Sequence, residues 1–285
     1  MSVSKRPGPT SRRRVVEVVR DEPRRRPDTV VTEEPLEIRL GWPGQPVSRV
    51  AVVMRTPGAD FELAAGFLLT EGVLATGQRP RSIGYCVDPE LTADQTYNVV
   101  TVELGEPPQH SPAERFTSVS SACGVCGTQS LDDVFPQSGT PLGIDETLDG
   151  ALVAGLPDAL REAQPVFSRT GSIHAAGVFD FAGRLVVARE DVGRHNAVDK
   201  VLGARLLGAT SYDERSVLCV SGRVGFDIIS KAAVGRFGVV VAVGGPSSLA
   251  VQLAERAGVT VCGFARGKRY VVYTHPERIA ELGTT

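Results

Sequence analysis

The sequence predicts an α/β protein whose main domain is a mostly parallel sheet flanked by helices, preceded by a smaller N-terminal α+β lobe. Three observations support this. Short, largely apolar runs (Val217–Val220, Val239–Val243, Val259–Phe264) alternate with helical stretches in the second half, as expected of strands covered on both faces. The first third instead places two strand runs around the turn-forming Gly41-Trp42-Pro43-Gly44-Gln45. A chain of 285 residues with 42% hydrophobic content can bury one large core and a smaller one.

Taken in order, residues 1–28 carry Arg12, Arg13, Arg14, Arg24, Arg25 and Arg26 with several prolines, and predict a disordered, solvated tail, with an electrostatic arm for an acidic partner as the alternative. The N-terminal lobe, expected over 29–117, starts with strands Leu36–Leu40 and Ser48–Met54. Asp60 is positioned to cap a helix running to about Leu69, and Tyr97–Leu104 reads as another strand. A mobile loop is expected over 118–130, followed by the α/β domain over 131–285. There Val178–Phe181 and Leu185–Arg189 flank Ala182-Gly183 as a hairpin, and a helix covers about Asn196 to Leu207. Helices Phe226–Phe237 and Leu249–Ala257 connect the apolar strands, and Arg269–Tyr273 closes the sheet.

No apolar stretch is long enough to span a bilayer, and the arginine-rich start lacks the apolar core of a secretory signal. Five cysteines, an odd number, suit a reducing compartment, so a cytoplasmic protein is expected. A net charge of −2 gives no case for a nucleic-acid partner, and no membrane partner is expected.

The chemistry concentrates in Ser-Ala-Cys-Gly-Val-Cys-Gly-Thr, where Cys123 and Cys126 are each followed by glycine. Glycine leaves a thiol accessible and its backbone free to bend, which a structural cysteine does not need. Zinc would require further ligands. Cys86, Cys219 and Cys262 fall in apolar runs and read as buried, leaving His110 and His174 as conceivable partners. A zinc deaminase signature is absent, since Ala176 stands where H-x-E needs glutamate. Thioredoxin-like exchange would open a helix at the pair, against which Gly124 and Gly127 argue. A sulfur carrier needs an exposed thiol on a loop that visits donor and acceptor. On chemistry alone, redox exchange and sulfur transfer remain close.

A second site is expected where three apolar strands end, the usual ligand position of such sheets. The ends read Ser221-Gly222-Arg223, Gly244-Gly245-Pro246-Ser247-Ser248 and Gly263 to Arg269. Glycines allow close backbone approach, and Ser247 or Ser248 would cap a helix whose amides favour an anion. Arg223, Arg266, Lys268 and Arg269 supply positive charge, and Phe264 could stack on a base or pterin. A nucleotide or phosphorylated ligand is expected. The block Arg189 to Lys200 is either a third part of that site or a capped, solvated helix start. His174 alone reads as structural.

Several blocks together resemble the FdhD family of formate dehydrogenase accessory sulfurtransferases. They are Met54-Arg55-Thr56-Pro57-Gly58 leading into Glu62 to Gly72, then Cys123-Gly124-Val125-Cys126-Gly127. Thr170 to Ala176, Glu190 to Lys200 and Ser221-Gly222-Arg223 follow in order. The resemblance implies a cytidine-deaminase-like main domain, usually in a homodimer. It implies that Cys123 takes persulfide sulfur from a cysteine desulfurase, with Cys126 as its partner and no permanent metal. The acceptor implied is the molybdenum cofactor carrying two molybdopterin guanine dinucleotides, destined for formate dehydrogenase. Phe264-Ala265-Arg266-Gly267-Lys268-Arg269 matches the family's cofactor-binding stretch, with Gly244, Gly245, Ser247, Ser221 and Arg223 beside it. A cofactor chaperone without sulfur chemistry is the alternative.

Overall fold

The computed structural model describes residues 6–75, 77–86, 92, 95–110, 142 and 146–282. Cys123, Cys126 and the expected 118–130 loop lie outside the described residues.

The first element corrects an expectation. The arginine-rich segment is a β-hairpin, β1 (Thr10–Val19) and β2 (Glu22–Val31), paired antiparallel throughout. Its turn residues Arg20 and Asp21 both have positive φ, 50° and 65°, which suits the twist of a two-residue hairpin turn. Arginine content suggests solvation, but Arg26 bonds Glu17 across the strands (2.9 Å) and Asp28 beside it (3.0 Å). Cross-strand charge pairs and β-branched valines favour a ladder.

A four-stranded sheet follows in the order β4-β3-β6-β5, comprising β3 (Glu34–Trp42), β4 (Gln45–Arg55), β5 (Ser82–Tyr85) and β6 (Val99–Glu103). Helix α1 (Asp60–Thr70) covers it, burying Leu63, Ala64, Ala65 and Leu68 against Leu36, Ile38, Leu40 and Val102. Asp60 does not cap this helix. Ala59 takes the cap position at φ 54°, and Asp60 opens the first turn. Its carboxylate is occupied instead by buried Arg55 (3.0 Å) and by the Tyr85 hydroxyl, which donates at 2.7 Å. A buried arginine requires such a partner, and this one outweighs a cap.

The main sheet runs β12-β11-β10-β9-β7-β8. Its strands are β7 (His174–Phe179), β8 (Leu185–Asp191), β9 (Val217–Val220), β10 (Val239–Ala242), β11 (Thr260–Arg266) and β12 (Arg269–Thr274). Only β9-β10 and β10-β11 pair in parallel; β11-β12, β7-β9 and β7-β8 are antiparallel. The sheet is therefore mixed rather than mostly parallel. The two parallel pairs have crossover helices, whereas the hairpins at both edges reverse direction.

Alternating strand residues divide between two cores. Leu218, Val220, Val240 and Val261 meet α4 (Arg194–Leu206), α5 (Phe226–Val234) and α6 (Ser248–Ala257). Val217, Cys219, Val239, Val241 and Cys262 meet α2 (Gly150–Glu162) through Val153, Leu156 and Leu160. Helix α2 was not expected, because Gly155 and Pro157 interrupt its pattern. It forms because Asp149 accepts from Ala151 N (2.7 Å) and its apolar face is fully covered. A short helix, α3 (Pro165–Thr170), begins on Glu190, whose carboxylate accepts from Val166 N and Phe167 N.

Helix α1 of the four-stranded sheet packs closely across α4. Gly66 lies on the Asp199 carbonyl and Gly203 on the Glu62 carbonyl; a methyl group at either would stand 1.8 Å from backbone oxygen. Ion pairs buried around the crossing join Lys231 to Asp199 (2.8 Å) and Lys200 to Asp191 (2.7 Å). No helix among the described residues is long and apolar enough to cross a membrane.

Candidate functional site at the strand ends

The three strand ends singled out in the sequence are joined by backbone bonds. Gly244 N donates to Gly222 O (3.1 Å), Phe264 N to Gly244 O (3.2 Å), and Val224 N to Gly245 O (3.2 Å). Ser221, Arg223, Gly244, Gly245, Ser247 and Phe264 thus form one continuous rim. Ser247 caps α6, its hydroxyl accepting from Ala250 N at 3.2 Å. Helices α4, α5 and α6 all begin on this rim, directing free amides and positive dipole ends toward it.

Apolar surface sits among these polar groups. Phe264 is 45% exposed and Val243 43%. Phe264 has φ 53°, an uncommon conformation for an aromatic residue, and its ring lies over Gly245. A side chain at 245 would strike that ring, so the glycine keeps the platform open. The rim therefore offers a ring-sized apolar contact beside anion-favouring amides and Arg223.

Not every expected residue points there. Ala265 is fully buried in the α2-side core, so it can offer only its backbone to a ligand. Arg266, Gly267, Lys268 and Arg269 form the exposed β11-β12 turn, beyond Phe264. Cys219 and Cys262 are buried, and burial pushes the Cys262 thiol up to about 12 and raises Cys219 as well. Neither can supply a thiolate. Cys86, expected as buried, is partly exposed just past β5, with Arg39 donating to its sulfur at 3.8 Å.

The structure adds residues that sequence reading set aside. Because β7 runs antiparallel to β9, its first residue, His174, stands at the end of β9. Its Nδ1 lies 3.5 Å from Ser221 Oγ. Burial first, then neighbouring Arg194, lowers its pKa. His195 contacts the Asp227 carboxylate, which lies 4.0 Å from Arg194. The block Glu190 to Lys200 therefore divides. Asp191 and Lys200 bond Thr56, Asp199 bonds Thr70, Glu190 starts α3, and Arg194 and His195 approach the rim.

His195 yields a pH prediction. Burial drives its pKa down to about 4 against the pull of Asp227, and Arg194, Lys231 and His174 push the same way. The unfolded chain takes this proton near 6.5. Between those values the unfolded state binds more protons, so folding stability falls as pH drops through that window. In urea titrations at a series of pH values, His195→Gln should flatten this part of the profile. An unchanged slope would assign the effect to other groups.

A separate concavity of about 490 Å³ opens at the opposite end of the sheet, lined by Asp180, Arg184, Asp213 and Arg215. Its arginines pair with its own aspartates, Arg184 to Asp180 and Arg215 to Asp213, leaving the rim as the better site.

Fold and rim define a mixed α/β protein with a candidate ligand surface along the carboxyl ends of three parallel strands. The chain belongs to the FdhD/NarQ family, whose model matches residues 31–280. It is 47% identical over 277 residues to a protein from Streptomyces avermitilis named sulfur carrier protein FdhD, covering 95% of this chain and 96% of that one. A protein of the same name from Mycolicibacterium paratuberculosis is 44% identical over 274 residues, with 95% and 98% covered. Among solved structures, a candidate formate dehydrogenase accessory protein from Desulfotalea psychrophila superposes with a TM-score of 0.72 at 27% identity. That match covers 95% of this chain and 99% of the other.

Proposed function

We propose that this protein is a sulfurtransferase that carries sulfur for formate dehydrogenase maturation. The observation that carries this reading is near full-length similarity to proteins named sulfur carriers, with the Cys123–Cys126 pair inside the family match. The Cys123 thiolate attacks the outer sulfur of a cysteine persulfide on a desulfurase. The donor's S–S bond breaks, its cysteine leaves as thiolate, and a new S–S bond forms on Cys123. Cys126 is its partner for release.

The acceptor in this reading is the molybdenum cofactor bearing two molybdopterin guanine dinucleotides, bound as substrate. Phe264 and Val243 offer apolar contact to a guanine or pterin ring. The amides opening α6, with Arg223, suit a diphosphate, and Arg266, Lys268 and Arg269 extend the positive surface. The same reading places the protein in the cytoplasm as a homodimer, with a cytidine-deaminase-like main domain.

Incubation with a cysteine desulfurase and cysteine should add one sulfur atom to the intact mass, removable by reductant and absent in Cys123→Ala. That variant should bind guanosine diphosphate like the parent yet fail to restore formate dehydrogenase activity in cells lacking the native protein. An adduct retained in Cys123→Ala, or restored activity, would overturn the carrier role of this residue.

A further inference from the structure

The β1-β2 hairpin lies outside the family match, which begins at its last residue. β2 packs near α3, while the residues around the turn are mostly exposed. Strand register sorts its side chains into two unlike faces, since alternate residues share a face and paired residues lie on the same one.

One face carries Arg13, Val15, Glu17 and Val19 with Glu22, Arg24, Arg26 and Asp28. Its three arginines match its three carboxylates, and Arg26 is bonded to both Glu17 and Asp28. The other face carries Arg12, Arg14, Val16 and Val18 with Pro23, Arg25, Pro27 and Thr29. It holds three arginines and no acid. None of the three has an ion pair among the described residues. Val16, opposite Arg25, is 58% exposed, and Val18, toward the turn, is 63% exposed.

We infer that this second face is a docking surface for an acidic protein segment. Uncompensated guanidinium groups call for carboxylates, and arginine beside exposed aliphatic side chains suits a protein interface. A single-stranded nucleic acid would find no aromatic ring to stack on and would set its phosphates against two valines. A lipid surface would find no tryptophan, phenylalanine or leucine to bury. None of the residues on this face belongs to the strand-end rim, so this surface does not depend on Cys123 or on the sulfur-carrier reading.

The test uses the full-length protein and compares two variants of equal charge change on opposite faces, R12Q/R14Q and R13Q/R24Q. The probe is a fluorescein-labelled peptide of glutamates interspersed with leucines, read by anisotropy. Two lost charge-assisted contacts should weaken binding about tenfold in R12Q/R14Q. R13Q/R24Q should stay close to the parent, as should the circular dichroism of both. Equal loss in the two variants would reduce the effect to net charge and overturn the inference. So would absent binding of the parent, or tighter parent binding to single-stranded DNA or to phosphatidylserine vesicles than to the peptide.

Discussion

Gly203→Ala should unfold at markedly lower urea than the parent, with a loss of about 3 kcal/mol or more, at the upper end of overpacking effects. In an open helix the same change would stabilise by roughly 0.5–1 kcal/mol, because alanine loses less backbone entropy than glycine. The sign reverses here because the new methyl would stand 1.8 Å from the Glu62 carbonyl oxygen. That atom belongs to α1's backbone and cannot rotate away as a side-chain tip could. Gly66→Ala should behave alike against the Asp199 carbonyl. Gly155→Ala is the control: it lies in α2 with nothing within 4 Å of its added methyl, and should be neutral or stabilising. Equal effects at 155 and 203 would show that helix propensity, not the crossing, decides. The crossing also positions the rim, since α4 carries Arg194 and His195 on its first turn.

Lys231→Met should cost about 3–5 kcal/mol, the loss typical when one member of a buried ion pair is removed. Lys231 Nζ donates to both Asp199 oxygens, at 2.8 and 3.0 Å, and to Thr70 Oγ1 at 2.7 Å. Burial opposes its charge, but Asp199 and then Glu71 outweigh that and raise its pKa. Burial raises the Asp199 carboxyl pKa despite Lys231. The carboxylate left behind in the variant would thus be both unpaired and desolvated. Adding Asp199→Leu to Lys231→Met should recover much of the loss, because an apolar pair leaves no charge uncompensated. A double variant as unstable as the sum of the singles, measured by urea titration, would refute coupling between them.

Much of the rim was legible in the sequence. Gly244-Gly245-Pro246-Ser247 announced a turn and a helix cap, and Ser247 caps α6. Apolar runs located β9, β10 and β11 to within two residues. Histidine 174 was legible only as a residue, because nothing local says that β7 inserts beside β9 rather than at an edge. The hairpin was misread because arginine composition outweighed an alternation of valines, and its stabilising partners sit on the opposite strand. Helix α2 was missed because its proline and glycine hide a face that only the sheet completes.

By itself, the sequence determined the strand runs, the turn chemistry of the rim and the spacing of the glycine-flanked cysteine pair at 123 and 126. These follow from periodicity, caps and glycine placement, all set by neighbours a few residues away. Only the tertiary structure decided which residues share a place. Thr56 meets Asp191 across 135 positions of chain, α1 meets α4 through two glycines, and β7 brings His174 to Ser221. Such contacts depend on burial and pairing between distant segments, where the energetic outcome belongs to both partners and neither segment records it alone.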